Sequence, residues 1–377
     1  MSADTKYAKN LALINKAIAC EPVERIPLAY AASAFSALYM GVPLSQYAVK
    51  MGLQTDVSLA AMKKLGGFDA QNAPSSGAPF DVVLASLWLS KVQLPGRELP
   101  ENTVWQVLEK ESMTVADYDY IIEKGWPKFQ NKMFAKVMNS PWDFKKFIIK
   151  TILRTPFTNR RFKKDGVVVL AGAIGTYPFE PLCGGRSMHN FFMDLYRMPD
   201  KVEAVMDVML PHMIKGLIMG GKGSKGLGVW VGGWRSASSL LAPKLWDRFV
   251  FPYMKKMVEA VTDAGLIAIL HLDQDWTRDL ARLKELPAKK CLLNTDGMTD
   301  LREAKKLLDG HMAILGDVPS SLFSHGTPQQ ITDYVRDLIN DVGPTGLILC
   351  PGCDAPFNTK FENMEAFVAA AREFGNV

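Results

Sequence analysis

Leu266-Ile267-Ala268-Ile269-Leu270-His271-Leu272-Asp273 is the stretch on which the reading of this chain turns. An apolar run of strand length breaks into polar residues at His271 and Asp273. These two are two positions apart, so on an extended chain they point to the same side. A second apolar run, Gly346 to Cys350, breaks in the same way into Pro351-Gly352-Cys353-Asp354.

Outward from this stretch the same rhythm recurs. Strands are expected at 26–31, 167–171, 227–231, 266–271, 291–294, 312–315 and 346–350. Helical spacing fills 187–197, 199–219, 243–264, 276–285, 299–308, 328–341 and 361–374. After a longer first gap, strands follow one another every ~20–40 residues with helices between them, which argues a parallel sheet with right-handed crossovers. So many βα units without a Gly-rich dinucleotide turn favour a single (β/α)8 TIM-type barrel over a Rossmann sheet. No repeat or linker divides the chain, so 1–377 reads as one domain. Residues 7–20 form an N-terminal helical extension, 44–65 a helix, 72–80 and 172–185 loops, and 103–107 with 112–115 a hairpin. Residues 127–164 are expected as a basic helical insertion, with Phe144-Lys145-Lys146-Phe147-Ile148-Ile149-Lys150 and Arg160-Arg161-Phe162-Lys163-Lys164. Such a segment is either a solvated amphipathic helix on the barrel exterior, or a docking surface for an acidic partner or a lid.

Composition narrows the function. The chain is 48% hydrophobic, which allows a large core, and its net charge of +5 is small for 377 residues. With no Lys/Arg-rich run of the nuclear or RNA-binding kind, nucleic acid is not expected as a partner. Five scattered cysteines, Cys20, Cys183, Cys291, Cys350 and Cys353, do not make a disulfide framework and suit a reducing cytoplasm. Neither a secretion signal nor a membrane span is expected, because no stretch of about 18 apolar residues occurs. His271, a carboxylate at Asp273 and a thiolate at Cys353, gathered at the open end of a barrel, would make a three-ligand metal site with one vacant position. That is the layout of a catalytic zinc. Asp275 competes with Asp273 for the ligand role.

Five motifs carry a family resemblance: Glu24-Arg25-Ile26-Pro27-Leu28, Asp194-Leu195-Tyr196-Arg197-Met198-Pro199, Leu241-Ala242-Pro243-Lys244, Leu315-Gly316-Asp317-Val318, and the run from Cys353-Asp354-Ala355-Pro356 to Asn363. Together they resemble the uroporphyrinogen decarboxylase superfamily. True decarboxylases bind an octa-carboxylate tetrapyrrole, which calls for arginines near the first strand. The segment from Ile26 to Val49 contains no Lys or Arg. The other branch is the corrinoid-dependent methyltransferases. In its thiol-methylating members a His-x-Cys pair and a later Cys in a Pro-Gly-Cys turn hold zinc. His271 and Cys353 match that pattern, and Asp273 stands where the middle cysteine would be.

The resemblance therefore implies a zinc held by His271, Asp273 and Cys353, and a cobalamin or related corrinoid. No Asp-x-His-x-x-Gly pattern occurs, so the corrinoid would be carried by a partner protein. A carboxylate in place of a thiolate hardens the metal toward oxygen. This points to an aromatic methyl ether of the guaiacol, veratrole or vanillate type, demethylated onto the partner's corrinoid. Tyr30, Phe35, Tyr177, Phe179, Trp230 and Trp234 are the expected stacking surface, with barrel packing as the alternative for the two tryptophans. Glu180, with His271 and Asp273, is a candidate catalytic group, as an acid or phenol anchor; its alternative is a surface carboxylate. The basic insertion is a candidate docking face for the corrinoid protein or for a homodimer. Three other functions stay open: methyl transfer to a thiol such as coenzyme M, non-catalytic tetrapyrrole binding, and decarboxylation.

Overall fold

Eight parallel strands form a ring in the computed structural model, which describes residues 3–72 and 79–376. The strands are β1 (Ala29–Tyr30), β2 (Ala70–Gln71), β3 (Val168–Val169 continued as Ala171–Thr176), β4 (Gly228–Gly233), β5 (Ile267–Leu272), β6 (Cys291–Thr295), β7 (Ala313–Leu315) and β8 (Leu347–Ile348). Each pairs in parallel with the next. A parallel bridge between Leu28 and Leu349 closes the ring, where the Ala29 N–H donates to the Leu349 carbonyl at 2.8 Å. The TIM-type barrel expected from the sequence is the fold.

Alternation along the strands sorts the side chains. Ala29, Ala70, Val168, Trp230, Ile269, Leu292, Ala313 and Ile348 fill the interior. Their neighbours Tyr30, Val229, Val231, Leu270, Leu293 and Leu347 face the surrounding helices. This is the two-residue period of a pleated strand. The first helix, Ala3–Ile18, adds Leu13, Ile14, Ala17 and Ile18 to the interior cluster, and so plugs the end where the strands begin. The opposite end, where the strands finish, is the open mouth.

Several elements differ from expectation. Residues 172–185 read as a loop, yet β3 runs to Thr176 and a helix spans Phe179–Arg186. The glycines that suggested a loop allow close packing instead. A Cβ at Gly175 would lie 2.9 Å from Leu217, and one at Gly172 would overlap Ser224, both on the helix Pro199–Ser224. The first strand is short because Pro27 lacks an N–H for the ladder. The hairpin joins Val92–Gln93 to Gln106–Val107, and residue 114 instead caps the helix Val115–Lys124 through a Thr114–Asp117 capping box. The stretch 276–285 is a 3₁₀ segment, Thr277–Glu285, interrupted at Asp279, and 44–65 is two helices, Leu44–Tyr47 and Met51–Lys64. Of the loop expected over 72–80, residues 73–78 lie outside the described residues. The segment expected as an insertion is helical, with Trp126–Val137 followed by Asp143–Lys164. Among the described residues no helix is long and apolar enough to cross a membrane.

Candidate metal centre at the barrel mouth

His271 is the penultimate residue of β5, in register with Gly232 of β4 and Asn294 of β6. Its imidazole is buried and lies flat on the Trp230 indole, with ring centroids 4.1 Å apart and planes at 12°. A buried amide network fixes its tautomer. The Trp230 indole can only donate, and it donates to Asn72 Oδ1 at 2.9 Å. That turns Asn72 Nδ2 toward Asn294 Oδ1, 3.1 Å away. Asn294 Nδ2 is itself committed to the carbonyls of Leu315 (2.7 Å) and Gly352 (3.2 Å). Its Oδ1 must therefore accept from His271 Nδ1–H, at 2.8 Å. The Nε2 lone pair is left facing the mouth, as metal-binding histidines require.

Two further donors meet Nε2. Asp273 lies just past β5, its N–H bonded to the Gly233 carbonyl at 3.0 Å, and its Oδ1 is 3.4 Å from Nε2. Cys353 is brought in by the Pro-Gly turn after β8. A Cβ at Gly352 would lie 2.9 Å from the backbone of Thr295 and Asp296, so only glycine lets this turn close on the end of β6. Cys353 Sγ is then 3.6 Å from Nε2, and the three donor atoms all lie within 4.8 Å of one another.

The two separations measured from Nε2 fit zinc. Tetrahedral zinc with bonds of about 2.0–2.3 Å spaces neighbouring donors about 3.3–3.6 Å apart. Those are the separations found around Nε2. Asp273 Oδ1 is buried and, among the described residues, has no hydrogen-bond partner. A buried carboxylate oxygen without a donor is costly, and a cation would satisfy it. Burial raises the Asp273 carboxyl pKa, with Asp296 adding to the rise and His271 opposing it. Burial also pushes the Cys353 thiol well above its ordinary value, reinforced by Asp273 and Asp354. Nearby, burial raises Asp317 to about 7 and Asp354 to about 6. Asp317 accepts hydrogen bonds from Thr295 (3.0 Å) and Tyr334 (2.8 Å), and Asp354 from the Ser33 N–H (2.6 Å). Four carboxyls around one mouth attract a cation and repel a polycarboxylate.

The other expected site residues divide into two groups. Trp230 supports His271, and the Trp234 ring folds over Gly232, the register neighbour of His271, and packs on Trp88 with centroids 4.7 Å apart. The Tyr177 hydroxyl lies beside Gly233 and 2.5 Å from Ser236 Oγ. Tyr30, Phe35 and Phe179 are placed elsewhere. Tyr30 bonds Ser36 at 2.7 Å and packs on Phe68, Phe35 stacks on Tyr39, and Phe179 meets Phe191 edge to face. All three are enclosed in the layer between barrel and helices. Glu180 is not on the surface but wholly buried. Its carboxylate accepts from the N–H groups of Trp234, Arg235 and Ser236 at 2.9–3.1 Å and from Ser236 Oγ at 2.6 Å. Every bond it makes ties down the turn after β4. Sequence reasoning missed Asn72 and Asn294. Asn294 carried a usable signal, because it ends the apolar run Cys291-Leu292-Leu293 as His271 ends its own.

Fold and mouth together define an α/β barrel with inward-facing nitrogen, oxygen and sulfur donors at its C-terminal end. The chain belongs to the uroporphyrinogen decarboxylase family: the family model "Uroporphyrinogen decarboxylase (URO-D)" matches residues 117–374. The methylcobamide:CoM methyltransferase MtbA of Methanosarcina acetivorans is 24% identical over 135 residues, 36% of this chain and 38% of that protein. MtbA of Methanosarcina mazei is 22% identical over the same shares. The match thus spans well under half the length of these curated relatives. A solved structure described as a methyltransferase from Methanosarcina mazei superposes with a TM-score of 0.73 at 15% identity, covering 99% of both chains, which supports the fold over its whole length.

Proposed function

We propose that the protein is a corrinoid-dependent methyltransferase that removes the methyl group of an aryl methyl ether and delivers it to the reduced corrinoid of a partner protein. The observation that carries this reading is the donor set itself. His271 and Cys353 supply one nitrogen and one sulfur, and the third donor is the unpartnered oxygen of Asp273. A zinc ion held by these three would act as a Lewis acid harder than one held by two thiolates, suited to weakening the bond from an ether oxygen to its methyl carbon. Asn294 keeps His271 in the ligating tautomer, and Trp230 holds the ring flat. Trp234 and Trp88 offer indole faces on which a methoxyarene ring stacks. The phenolate that leaves takes up a proton to become the phenol. The acidic mouth and the absence of Lys or Arg from 26–49 speak against an octa-carboxylate substrate.

A second reading, methyl transfer from the corrinoid to a thiol, draws on the activity in the names of the relatives. One assay separates the two. The protein is mixed with a reduced corrinoid protein and a panel of methoxyarenes, and corrinoid absorbance and phenol release are followed. Phenol formed in step with corrinoid methylation is expected. No transfer from any ether, together with methylation of a thiol from methylated corrinoid, would overturn the ether reading.

A further inference from the structure

The helix Asp143–Lys164 leaves a row of large apolar side chains in water. Ile149, Ile152, Leu153 and Phe157 are 58%, 67%, 64% and 66% exposed, and Trp142 at its start is 59% exposed. With the exposed Pro156 they fall at helical spacings of 0, 3, 4, 7 and 8 from position 149, with 142 one heptad before, so they form one stripe. Thr155 and Phe162 lie on the reverse face and are buried against the protein. The stripe is basic at both ends. Lys145 and Lys146 precede it, and Arg160, Lys163 and Lys164 follow it on the same face. Lys145, Lys146, Lys150, Arg160 and Lys164 form no ion pair among the described residues, unlike Arg161 and Lys163, which meet Asp56 and Asp4. Asp143 is the helix's only acidic residue.

We propose that this helix lies on an anionic lipid surface, with its apolar stripe in the headgroup boundary and its cations among the lipid phosphates. A helix about 33 Å long, with aromatic and branched side chains flanked by Lys and Arg, has the makeup of an interfacial helix. Three observations favour a bilayer over other occupants. The reverse face is packed on the barrel, so only a shallow arc is free; a plane covers such an arc fully, while a partner's groove could not wrap it. A second copy would set Lys145 and Lys146 against Arg160 and Lys164 in the antiparallel arrangement, or like against like in the parallel one. The helix runs into β3 at the plugged end, where Asn10 bonds the Gly166 carbonyl at 2.8 Å and Lys163 meets Asp4 at 3.2 Å. The stripe therefore runs down the flank of the barrel toward its plugged end, and bound this way the barrel would sit side-on to the lipid.

Flotation of the full chain with lipid vesicles tests the proposal. Binding is expected to vesicles of phosphatidylcholine mixed with phosphatidylglycerol, to fall with salt, and to be weak on phosphatidylcholine alone. The double variant I152E/F157E should lose binding, by about tenfold or more for each side chain. The triple variant K145Q/K146Q/K150Q should weaken it by about fivefold per lysine. Unchanged thermal melts would show that both variants fold. No flotation with the anionic vesicles, or flotation that I152E/F157E leaves unchanged, would overturn the proposal. So would a dimer, or a complex with a purified acidic corrinoid protein, that I152E/F157E abolishes while the wild type ignores vesicles.

Discussion

The barrel mouth and the helix Asp143–Lys164 break opposite rules. Inside the mouth an oxygen of Asp273 is buried without a partner, although buried polar groups are almost always hydrogen-bonded. On the helix Ile152, Leu153 and Phe157 face water, although large apolar residues belong inside. The surroundings differ as well. The mouth exception sits in a network with no slack, in which Trp230, Asn72, Asn294 and His271 each have one assignable orientation. One small cation at one point would satisfy it. The helix exception is a stripe with no fixed partner atoms, and it demands only a surface of the right character. We read the discrete orphan inside a rigid frame as chemistry and the continuous orphan on an outer face as adhesion.

The sharpest way to break this contrast is at His271 or Cys353. Replacing either by Ala should abolish both zinc retention and methyl transfer while the circular dichroism spectrum stays native; full activity in both variants would remove the metal from the account. Next in size is a pH effect confined to the mouth. Burial gives Asp317 a folded value of about 7 against an ordinary 3.8, so the folded chain holds that proton more tightly than the unfolded one. Its contribution is complete below the ordinary value and is lost as pH rises through about 7, by at most about 4 kcal/mol. Asp317→Asn should flatten the denaturation free energy across that window, and an unchanged slope would contradict it.

Asn294→Leu tests whether the frame matters. It leaves His271 Nδ1–H unpaired and the imidazole free to turn, so zinc affinity should fall by about 10–100-fold. A chelator competition measures this, and wild-type affinity would show that the network is incidental. A subtler probe is Asp273→Cys. A second thiolate softens the site, so activity with ethers should fall and activity with thiols rise, by about tenfold in ratio. An unchanged ratio would detach ligand softness from substrate choice. The smallest effect is expected on the flank: Ile152→Ser should alter stability by no more than about 0.5 kcal/mol, because the side chain already faces water.

What could be read in advance follows from which signals are local. His271 and Asp273 were legible because a strand has period two, so an apolar run ending in two polar residues two apart fixes their common direction. Cys353 was legible from its Pro-Gly turn. Tyr30, Phe35 and Phe179 were not, since an aromatic residue near the end of an apolar run looks the same whether it lines a cavity or seals a helix. Glu180 looked like a loop carboxylate because Gly172 and Gly175 imitated a loop. Their actual partners, Ser224 and Leu217, lie about 40–50 residues further on, at a separation no local pattern reveals. The basic, aromatic character of 144–164 was plain in sequence, but which stripe faces outward depends on Phe162 and Thr155 finding the core.

The most direct test of the central claim is X-ray absorption at the zinc edge on protein purified with zinc present. The account predicts one zinc per chain bound by a single sulfur at about 2.3 Å and by nitrogen and oxygen at about 2.0–2.2 Å, with the sulfur lost in Cys353→Ala. Protein that retains no zinc, or a zinc shell with two sulfurs, would contradict it.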